Sequence, residues 1–379
     1  MIESATWHLV SNQSEFLNLQ SDWERLFQAN PRHSPFLAWG WVNAWLKHIA
    51  GQHELQIVCL RDDSGELLFV LPMLRRAGKF GFSSKKIMLV CSYGPECSDN
   101  LGCLCAPELE DTSAELTASA ITRSYNRNGL VSLAFLDSAG SFPSRLKAAM
   151  QTSDRVIRVR PDAACPAVDL PRSWDEYLQQ LSSNFRSQVR RSYKQVGGDG
   201  QPSFRSVGPA DAEAFTSDLI RLNRSRMQAK GETSSLESEA FRGFLREAIP
   251  YMASQGIAWM DTIVHDGGVL GSALHFVHGK SIYFYMGGFD DKARKIRPGI
   301  ALFALVMQRG IDGGYAKFDF LRGVEAYKYR WCAIDVLTHN VSIYPSGLLR
   351  GYLAPAVDDL YIATRKLLKY WRNLIMRRG

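Results

Sequence analysis

The segment 257–287 constrains the fold more than any other part of the sequence. It contains three runs of strand-like composition, separated by the short turns Asp266-Gly-Gly268 and His278-Gly-Lys280. Glycine-containing turns of this length join neighbouring antiparallel strands. The segment therefore predicts a three-stranded meander, which we expect to be followed by a helix over 300–312 and a strand over 317–321.

The remaining segments extend this pattern to both halves of the chain. In the second half, the meander is preceded by a helix, a short strand and two further helices, and the first half shows a fainter version of that order. We interpret this as an α/β (α+β) fold of two related units with mixed central sheets flanked by helices. The Pro-, Ala- and Asp-rich stretch 161–171 predicts the boundary, giving units 1–160 and 161–349 and a basic amphipathic helix over 350–379.

The charge balance narrows the class of partner. The 379 residues carry 45 Lys and Arg against 38 Asp and Glu, which gives a net charge of +7. Such a chain attracts phosphorylated cofactors, nucleotide-linked substrates, nucleic acid or anionic membrane surfaces. Because no apolar run is long enough to cross a membrane and the N-terminus lacks a signal-peptide pattern, we expect a cytoplasmic protein.

The seven cysteines include a cluster at positions 91, 97, 103 and 105. Its C-x5-C-x5-C-x-C spacing matches no common zinc pattern, and no histidine lies within it. We therefore predict buried free thiols and no metal site.

The junction Pro298-Gly299-Ile-Ala301 follows a predicted strand and opens a predicted helix. Unpaired N–H groups and the helix dipole at such a junction favour an anion such as pyrophosphate, and glycine lets the backbone approach it closely. The alternative is a plain proline–glycine helix cap. The predicted phosphate-binding residues are Arg294, Arg297, Gly299, Ile300 and Ala301.

Polar residues cluster where the last predicted strand ends. Asp319 or Glu325 could accept the proton of an incoming amine or hydroxyl, and Tyr327 could donate one to a leaving thiolate. The alternative is that Asp319 is a buried cap and that Glu325 pairs with Arg322 or Lys328. The same stretch supplies the predicted substrate-binding residues Arg322, Lys328 and Trp331.

Two further groups are candidate site residues. His275 lies on a predicted strand next to the strand that carries Tyr285, and either a catalytic or a core role fits that position. Basic residues on two predicted helices could bind the phosphates of an acceptor such as a sugar nucleotide, or could form a solvated face. They include Arg186, Arg190 and Arg226.

The tract Phe318-Asp-Phe-Leu-Arg-Gly323-Val-Glu325…Tyr327-Lys328…Trp331 resembles the CelD/BcsL group of GNAT acetyltransferases, which is associated with cellulose and exopolysaccharide biosynthesis. The resemblance extends over nearly the whole chain and implies a tandem GNAT fold, as in the FemAB-like transferases, with acetyl-CoA or another acyl-CoA as co-substrate. In the family's pyrophosphate loop, Gln/Arg-x-x-Gly-x-Gly/Ala, Gly299 and Ala301 match, whereas the first position here is Ile296.

The leading hypothesis is direct acyl transfer from acyl-CoA to an amine or hydroxyl of a sugar nucleotide or polysaccharide precursor. A FemAB-like transferase that uses aminoacyl-tRNA is the second hypothesis, and only under it do we expect tRNA to bind; DNA is not expected. A third is a non-catalytic component of a polysaccharide-synthesis complex, with peripheral contact to the membrane or to a synthase.

Overall fold

A computed structural model describes residues 5–77, 85–94, 97–125, 129–137, 141–151, 154–196 and 202–345. These residues form a mixed α/β fold, as the sequence predicts. The strands are β1 Thr6–Val10, β2 Glu54–Leu55, β3 Ile57–Arg61, β4 Leu67–Leu71, β5 Met73–Ala77, β6 Lys85–Leu89, β7 Leu104–Cys105, β8 Leu130–Leu136, β9 Ile157–Asp169, β10 Ser203–Val207, β11 Ala258–His265, β12 Gly268–His278, β13 Ser281–Phe289, β14 Lys317–Asp319 and β15 Ile334–Ile343. The α-helices are α1 Gln13–Asn18, α2 Gln20–Ala29, α3 Trp39–His48, α4 Ser113–Ser124, α5 Phe142–Ala149, α6 Trp174–Gln180, α7 Ser183–Lys194, α8 Ala212–Ala229, α9 Glu239–Ser254, α10 Pro298–Asp312 and α11 Ala326–Tyr329.

The predicted meander is confirmed. Strands β11, β12 and β13 pair antiparallel, and β14 then pairs parallel to β13 after the crossover helix α10. The turns between the meander strands adopt left-handed backbone at Asp266 and Gly267 and again at Gly279. Glycine reaches that region without a steric penalty, which explains why both turns contain it.

Strands β9 and β15, the last strands of the two halves, are exchanged between them. The large sheet has the order β10-β11-β12-β13-β14-β9-β15-β8-β6-β5-β2, so β9 lies next to β14 of the second half and β15 lies next to β8 of the first. Each half also contains one parallel pair, β6–β8 in the first and β13–β14 in the second. This repeated arrangement matches the expected tandem GNAT-like organisation.

The stretch that the sequence marks as a boundary is a strand. The expected division between residues 160 and 161 falls inside β9, which contains Pro161 and Pro166. Pro161 lies opposite a bulge in β15, between Leu337 and His339, where a missing N–H is tolerated. The carbonyl of Pro166 still accepts a hydrogen bond from Phe320 N–H at 2.9 Å. Its prolines thus give β9 the composition of a loop without preventing strand pairing.

One apolar core joins the two halves. Trp41 and Trp45 on α3 are completely buried, as their four-residue spacing predicts. The ring of Trp41 packs edge-on against Phe276 of β12 at 5.0 Å, and α3 lies along α9. The close approach of these helices requires Gly40, because a Cβ atom there would lie 1.9 Å from a ring carbon of Tyr251.

Within the described ranges, no helix is long and apolar enough to cross a membrane. The expected basic helix over 350–379 lies outside the described residues.

Replacing Gly40 with Ala should destabilise the protein. The added methyl group has to displace the Tyr251 ring, and overpacking of this kind costs about 1–3 kcal/mol, more than alanine gains from its helix propensity. Urea unfolding measures the difference. Gly208→Ala is the control, because nothing lies within 4 Å of its Cβ position; equal stability of the two variants would show that α3 and α9 can separate freely.

Candidate active site

A cavity of about 610 Å³ lies where β13 and β14 separate. The two strands pair only from Ser281–Lys317 to Tyr283–Asp319, although β13 continues to Phe289. Beyond that point the chain after β14 follows β9 instead, through a hydrogen bond from Gly323 N–H to Ala164 O at 3.0 Å. A wedge therefore opens along the edge of β13. The lining residues are Phe185, Asn223, Arg226, Met227, Lys230, Glu232, Ser272, Ala273, Phe284, Tyr285, Met286, Gly287, Gly288, Phe289, Arg297, Pro298, Gly299, Ile300, Leu302, Phe303, Glu325, Tyr327, Arg330 and Trp331.

The start of α10 forms one wall of the cavity. Arg297 adopts a left-handed conformation just before Pro298, and the two residues after that proline, Gly299 and Ile300, line the cavity. A Cβ atom at Gly299 would lie 3.4 Å from the ring of Phe289, so glycine keeps this wall open. The first N–H groups of a helix carry a partial positive charge, which favours an anion here.

One of the predicted phosphate-binding residues lies away from this wall. Ala301 is fully buried and packs in an apolar cluster with Ile263 and Leu302. The side chain of Arg294 lies outside the described part of the structure.

Two arginines meet at this wall. Arg297 and Arg330 both donate to the side-chain oxygen of Gln188 on α7, at 2.7 and 2.8 Å. The guanidinium of Arg330 also stacks on the ring of Phe185 at 4.2 Å. A neutral amide oxygen thus holds two positive charges next to the start of α10, which makes this end of the cavity electropositive.

Asp319 lies behind the cavity wall rather than among the lining residues. Its carboxylate accepts a hydrogen bond from Leu321 N–H at 2.8 Å and lies 3.3 Å from the ammonium of Lys317. Burial raises the pKa of the Asp319 carboxyl, against the lowering effect of Lys317. This is the geometry of the buried cap that the sequence left open as the alternative.

Arg322 joins the predicted site to the first half of the chain. Its guanidinium pairs with the buried carboxylate of Asp99 at 2.9 Å and stacks on Phe135 at 4.5 Å. It also donates to the thiol and the carbonyl of Cys97. These contacts direct Arg322 towards the first half and fix the turn that follows β14.

Lys328 closes the same turn from the other side. Its ammonium is buried and donates to the carbonyls of Leu321, Arg322 and Gly323 at 2.8–3.1 Å. It also pairs with the Glu325 carboxylate at 2.9 Å. Gly323 has φ 114°, and a Cβ atom there would lie 2.5 Å from a Glu325 carboxylate oxygen. The turn thus holds Glu325, which remains 57% exposed, at the edge of the cavity.

Tyr327, Trp331 and Arg226 complete this side. Tyr327 stacks on Phe303, with the ring planes 16° apart, and Trp331 packs edge-on against Phe185 at 4.9 Å. Burial raises the pKa of the Tyr327 hydroxyl, and the carboxylate of Glu325 raises it further, whereas Arg226 lowers it. The phenol is therefore protonated at neutral pH and lies in the electrostatic range of both charges.

His275 lies one layer behind the cavity. Its ring is completely buried and packs against Phe284 and Phe303, two of the lining residues. Its Nδ1 is 3.6 Å from the Asp261 carboxylate, which Arg309 holds at 2.8 Å. Burial lowers the pKa of His275, so its ring is neutral at pH 7.

Of the remaining predicted site residues, one lines the cavity and two do not. Tyr285 lines the cavity and packs edge-on against Trp41 at 5.1 Å. Arg186 donates to the carbonyl of Leu181 at 3.2 Å, and Arg190 is exposed on α7; both lie outside the set of described residues that line the cavity.

Sequence reasoning missed several residues that line the cavity or hold its wall in place. Gln188 and Arg330 carry no signal beyond their nearness to predicted residues, and Glu232 follows α8 in an irregular segment. Ser272 is 1% exposed and its hydroxyl has no hydrogen-bond partner among the described residues. Only its position on a strand of the meander could have drawn attention to it.

The first half brings His33 close to Cys105 and Glu110, a set of residue types that can bind a metal. Both ring nitrogens of His33 are in use, however, because Nε2 accepts from Cys105 N–H at 3.1 Å and Nδ1 lies 3.3 Å from Phe27 O. The amide hydrogen occupies the lone pair that a metal would need. The cluster therefore links β7 to the end of α2 by hydrogen bonds.

Comparison with known proteins agrees with this geometry. Residues 183–329 match the family model described as acetyltransferase (GNAT) domain. Among solved structures, FemX is similar with a TM-score of 0.60 and 12% identity over 85% of this chain and 95% of that one. The C-terminal domain of a putative lysylphosphatidylglycerol synthetase from Agrobacterium fabrum has a TM-score of 0.54 and 11% identity, over 86% and 92%. No curated protein matches in sequence.

The matched region covers the meander, α10, β14 and most of the cavity wall. Residues 183–329 thus match a GNAT acetyltransferase domain, and this match supports a GNAT-type acyltransferase.

Replacing Lys328 with Met should weaken the turn after β14. The substitution leaves three carbonyls without their charged donor, and we expect a loss of roughly 2–4 kcal/mol in the free energy of unfolding. Urea unfolding is the measurement, with Lys295→Met as the exposed control. If both variants unfold at the same urea concentration, the ammonium does not stabilise the turn.

His33 should make stability depend on pH. Burial lowers the pKa of His33 from 6.5 to about 4, so the unfolded chain takes up this proton first on acidification. The contribution is complete above pH 6.5 and is lost as the pH falls to about 4, a difference of roughly 3 kcal/mol. His33→Gln should flatten the unfolding free energy over this range. Equal slopes for His33→Gln and wild type would contradict this assignment.

Proposed function

We propose that the cavity transfers an acyl group from acyl-CoA to an amine or hydroxyl acceptor. The observation that carries this proposal is that the parallel strands β13 and β14 separate and open a wedge-shaped cavity. One end of the cavity is cationic, and the other carries side chains that can accept or donate a proton. The open backbone of β13 offers hydrogen-bonding groups to an extended ligand, as any unpaired strand edge does.

The cationic end suits the donor's phosphates. The first N–H groups of α10 and the guanidinium groups of Arg297 and Arg330 lie at one wall, and Gly299 keeps the backbone accessible. In this pose the pyrophosphate of acyl-CoA lies against α10 and the acyl thioester reaches the aromatic part of the wedge.

At the protic end, Glu325 accepts the proton of the acceptor as its nitrogen or oxygen attacks the thioester carbonyl. The carbon–sulfur bond then breaks, and Tyr327 donates its proton to the leaving thiolate. The raised pKa of Tyr327 keeps the phenol protonated before the reaction begins. Transfer is direct, so no acyl-enzyme is needed.

The acceptor is carbohydrate-related on this proposal. The resemblance to the CelD/BcsL group supports a role in cellulose or exopolysaccharide biosynthesis. The polar residues in the cavity lining, Asn223 and Arg226 among them, suit a hydroxylated acceptor.

Aminoacyl-tRNA is the second candidate donor. Two observations support aminoacyl-tRNA as a donor. They are the fold similarity to FemX over 85% of the chain and the electropositive cavity wall. Calorimetric titration with acetyl-CoA distinguishes the two: heat from acetyl-CoA supports acyl-CoA, whereas binding of tRNA that weakens steeply with salt, with no heat from acetyl-CoA, supports the second donor.

Replacing Glu325 with Gln should lower kcat by roughly 10²–10⁴-fold, because the amide cannot accept the proton. Acetyl-CoA affinity should be retained, since Glu325 does not belong to the cationic wall. The measurement is acetyl-CoA turnover with glucosamine and other amino sugars as acceptors, alongside calorimetric binding.

Two matched variants serve as controls. Glu232→Gln removes a second carboxylate from the lining, and Asp319→Asn retains an acceptor for Leu321 N–H while removing the other candidate base. Both should keep most of the turnover. Full activity of Glu325→Gln, or a comparable loss in Asp319→Asn with intact folding, would overturn the assignment of the base.

A further inference from the structure

Exposed apolar side chains are concentrated beside the cavity. Among the described residues, six large apolar side chains are exposed, and four of them fall within 324–337. We call these four the apolar patch: Val324 (65% exposed), Tyr329 (38%), Ile334 (74%) and Leu337 (44%). The other two, Leu9 and Leu17, lie in the first half. Scattered exposed apolar residues are ordinary, but a concentration of them marks an interaction surface.

Backbone pairing places the members of the apolar patch near one another. Leu337 of β15 pairs with Ala164 of β9, and the carbonyl of Ala164 accepts from Gly323 N–H, next to Val324. Strand spacing is about 4.8 Å, so the backbones that carry Val324 and Leu337 lie on the order of 10 Å apart.

The other two members are connected by a side-chain contact. The hydroxyl of Tyr329 donates to the carboxylate of Asp335 at 2.8 Å, and Asp335 directly follows Ile334. Tyr329 follows Lys328 on α11, which closes the turn that carries Val324. The four residues therefore belong to one region rather than to separate loops.

Basic side chains outnumber acidic ones on the stretches that meet at Arg330, the neighbour of Tyr329. The stretches 183–194, 295–300 and 324–337 meet at Gln188, which bonds to Arg297 and Arg330. Their exposed ionic side chains comprise six basic and two acidic groups, a local excess of four positive charges. The basic residues are Arg190, Arg191, Lys194, Lys295, Arg297 and Arg330, and the acidic ones are Glu325 and Asp335.

We propose that this region docks on the surface of an anionic lipid bilayer. Aliphatic side chains gain free energy in the interfacial layer of a membrane, and each Lys or Arg near anionic headgroups adds to the attraction. An RNA partner would use the basic groups but would gain nothing from Val324, Ile334 or Leu337. The combination of both features therefore favours lipid. Because Arg297 and Arg330 also line the cavity, docking would turn its cationic end towards the headgroups.

Co-sedimentation of the full-length protein with vesicles tests this proposal and requires no turnover, so the result stands apart from the acyl-transfer proposal. We expect binding to vesicles of phosphatidylcholine mixed with phosphatidylglycerol, and much weaker binding to phosphatidylcholine alone. The variant Val324→Ser/Ile334→Ser/Leu337→Ser should bind the mixed vesicles at least about tenfold more weakly, because it removes the side chains that insert. Arg191→Gln/Lys194→Gln should also weaken binding and reduce its salt dependence.

The matched control is Leu9→Ser/Leu17→Ser, which removes exposed apolar side chains of the first half and should bind like wild type. Circular dichroism and urea unfolding confirm that each variant is folded. Equal binding by the apolar-patch variant and wild type would overturn the proposal. Retention of bulk tRNA with no binding to either vesicle would overturn it in favour of an RNA surface.

Discussion

The pairing of β9 with β14 and β15 is the constraint on which the cavity depends. After Asp319 the chain could continue alongside β13, but Phe320 and Gly323 donate instead to the carbonyls of Pro166 and Ala164 on β9. The chain therefore leaves β13 after three paired residues, and the wedge opens. The strand that spans the expected boundary thus shapes the cavity, so the positions of β9 and β15 in the sheet are part of how the site is built.

The tract that carries the family resemblance, residues 318–331, fixes the turn after β14 and also supplies the candidate catalytic groups. Arg322 is held by Asp99, and Lys328 is held by three consecutive carbonyls, so both charges are used inside the protein. Buried charges of this kind are costly to leave unpaired, which fixes the turn in one conformation. Glu325 and Tyr327, located between and beside these anchors, are the groups that reach the cavity.

The sequence predicts the fold well where the signal is local. The meander, α10 and the buried tryptophans of α3 follow from turns and periodicity, which depend on neighbouring residues only. Strand β9 is not predicted, because its prolines give it the composition of a domain boundary. Its pairing depends on partners from both halves, which the local sequence does not identify. The same holds for the site. The sequence identifies the segment 319–331, but only tertiary contacts determine that Glu325 points outward and that Arg322 and Lys328 point inward.

The net positive charge of the chain indicates a type of ligand only when the positions of the basic groups are known. Several other arginines pair with carboxylates, as Arg224 does with Glu237 and Arg221 with Asp218. Arg297 and Arg330 share the neutral oxygen of Gln188, so their Nη atoms lie within about 5.5 Å of each other. In water their repulsion is below about 1 kcal/mol, but it rises several-fold when a ligand displaces the solvent. A neutral ligand would therefore be penalised at this wall, whereas an anion would replace that repulsion by attraction, so the charge pair itself selects for negatively charged groups.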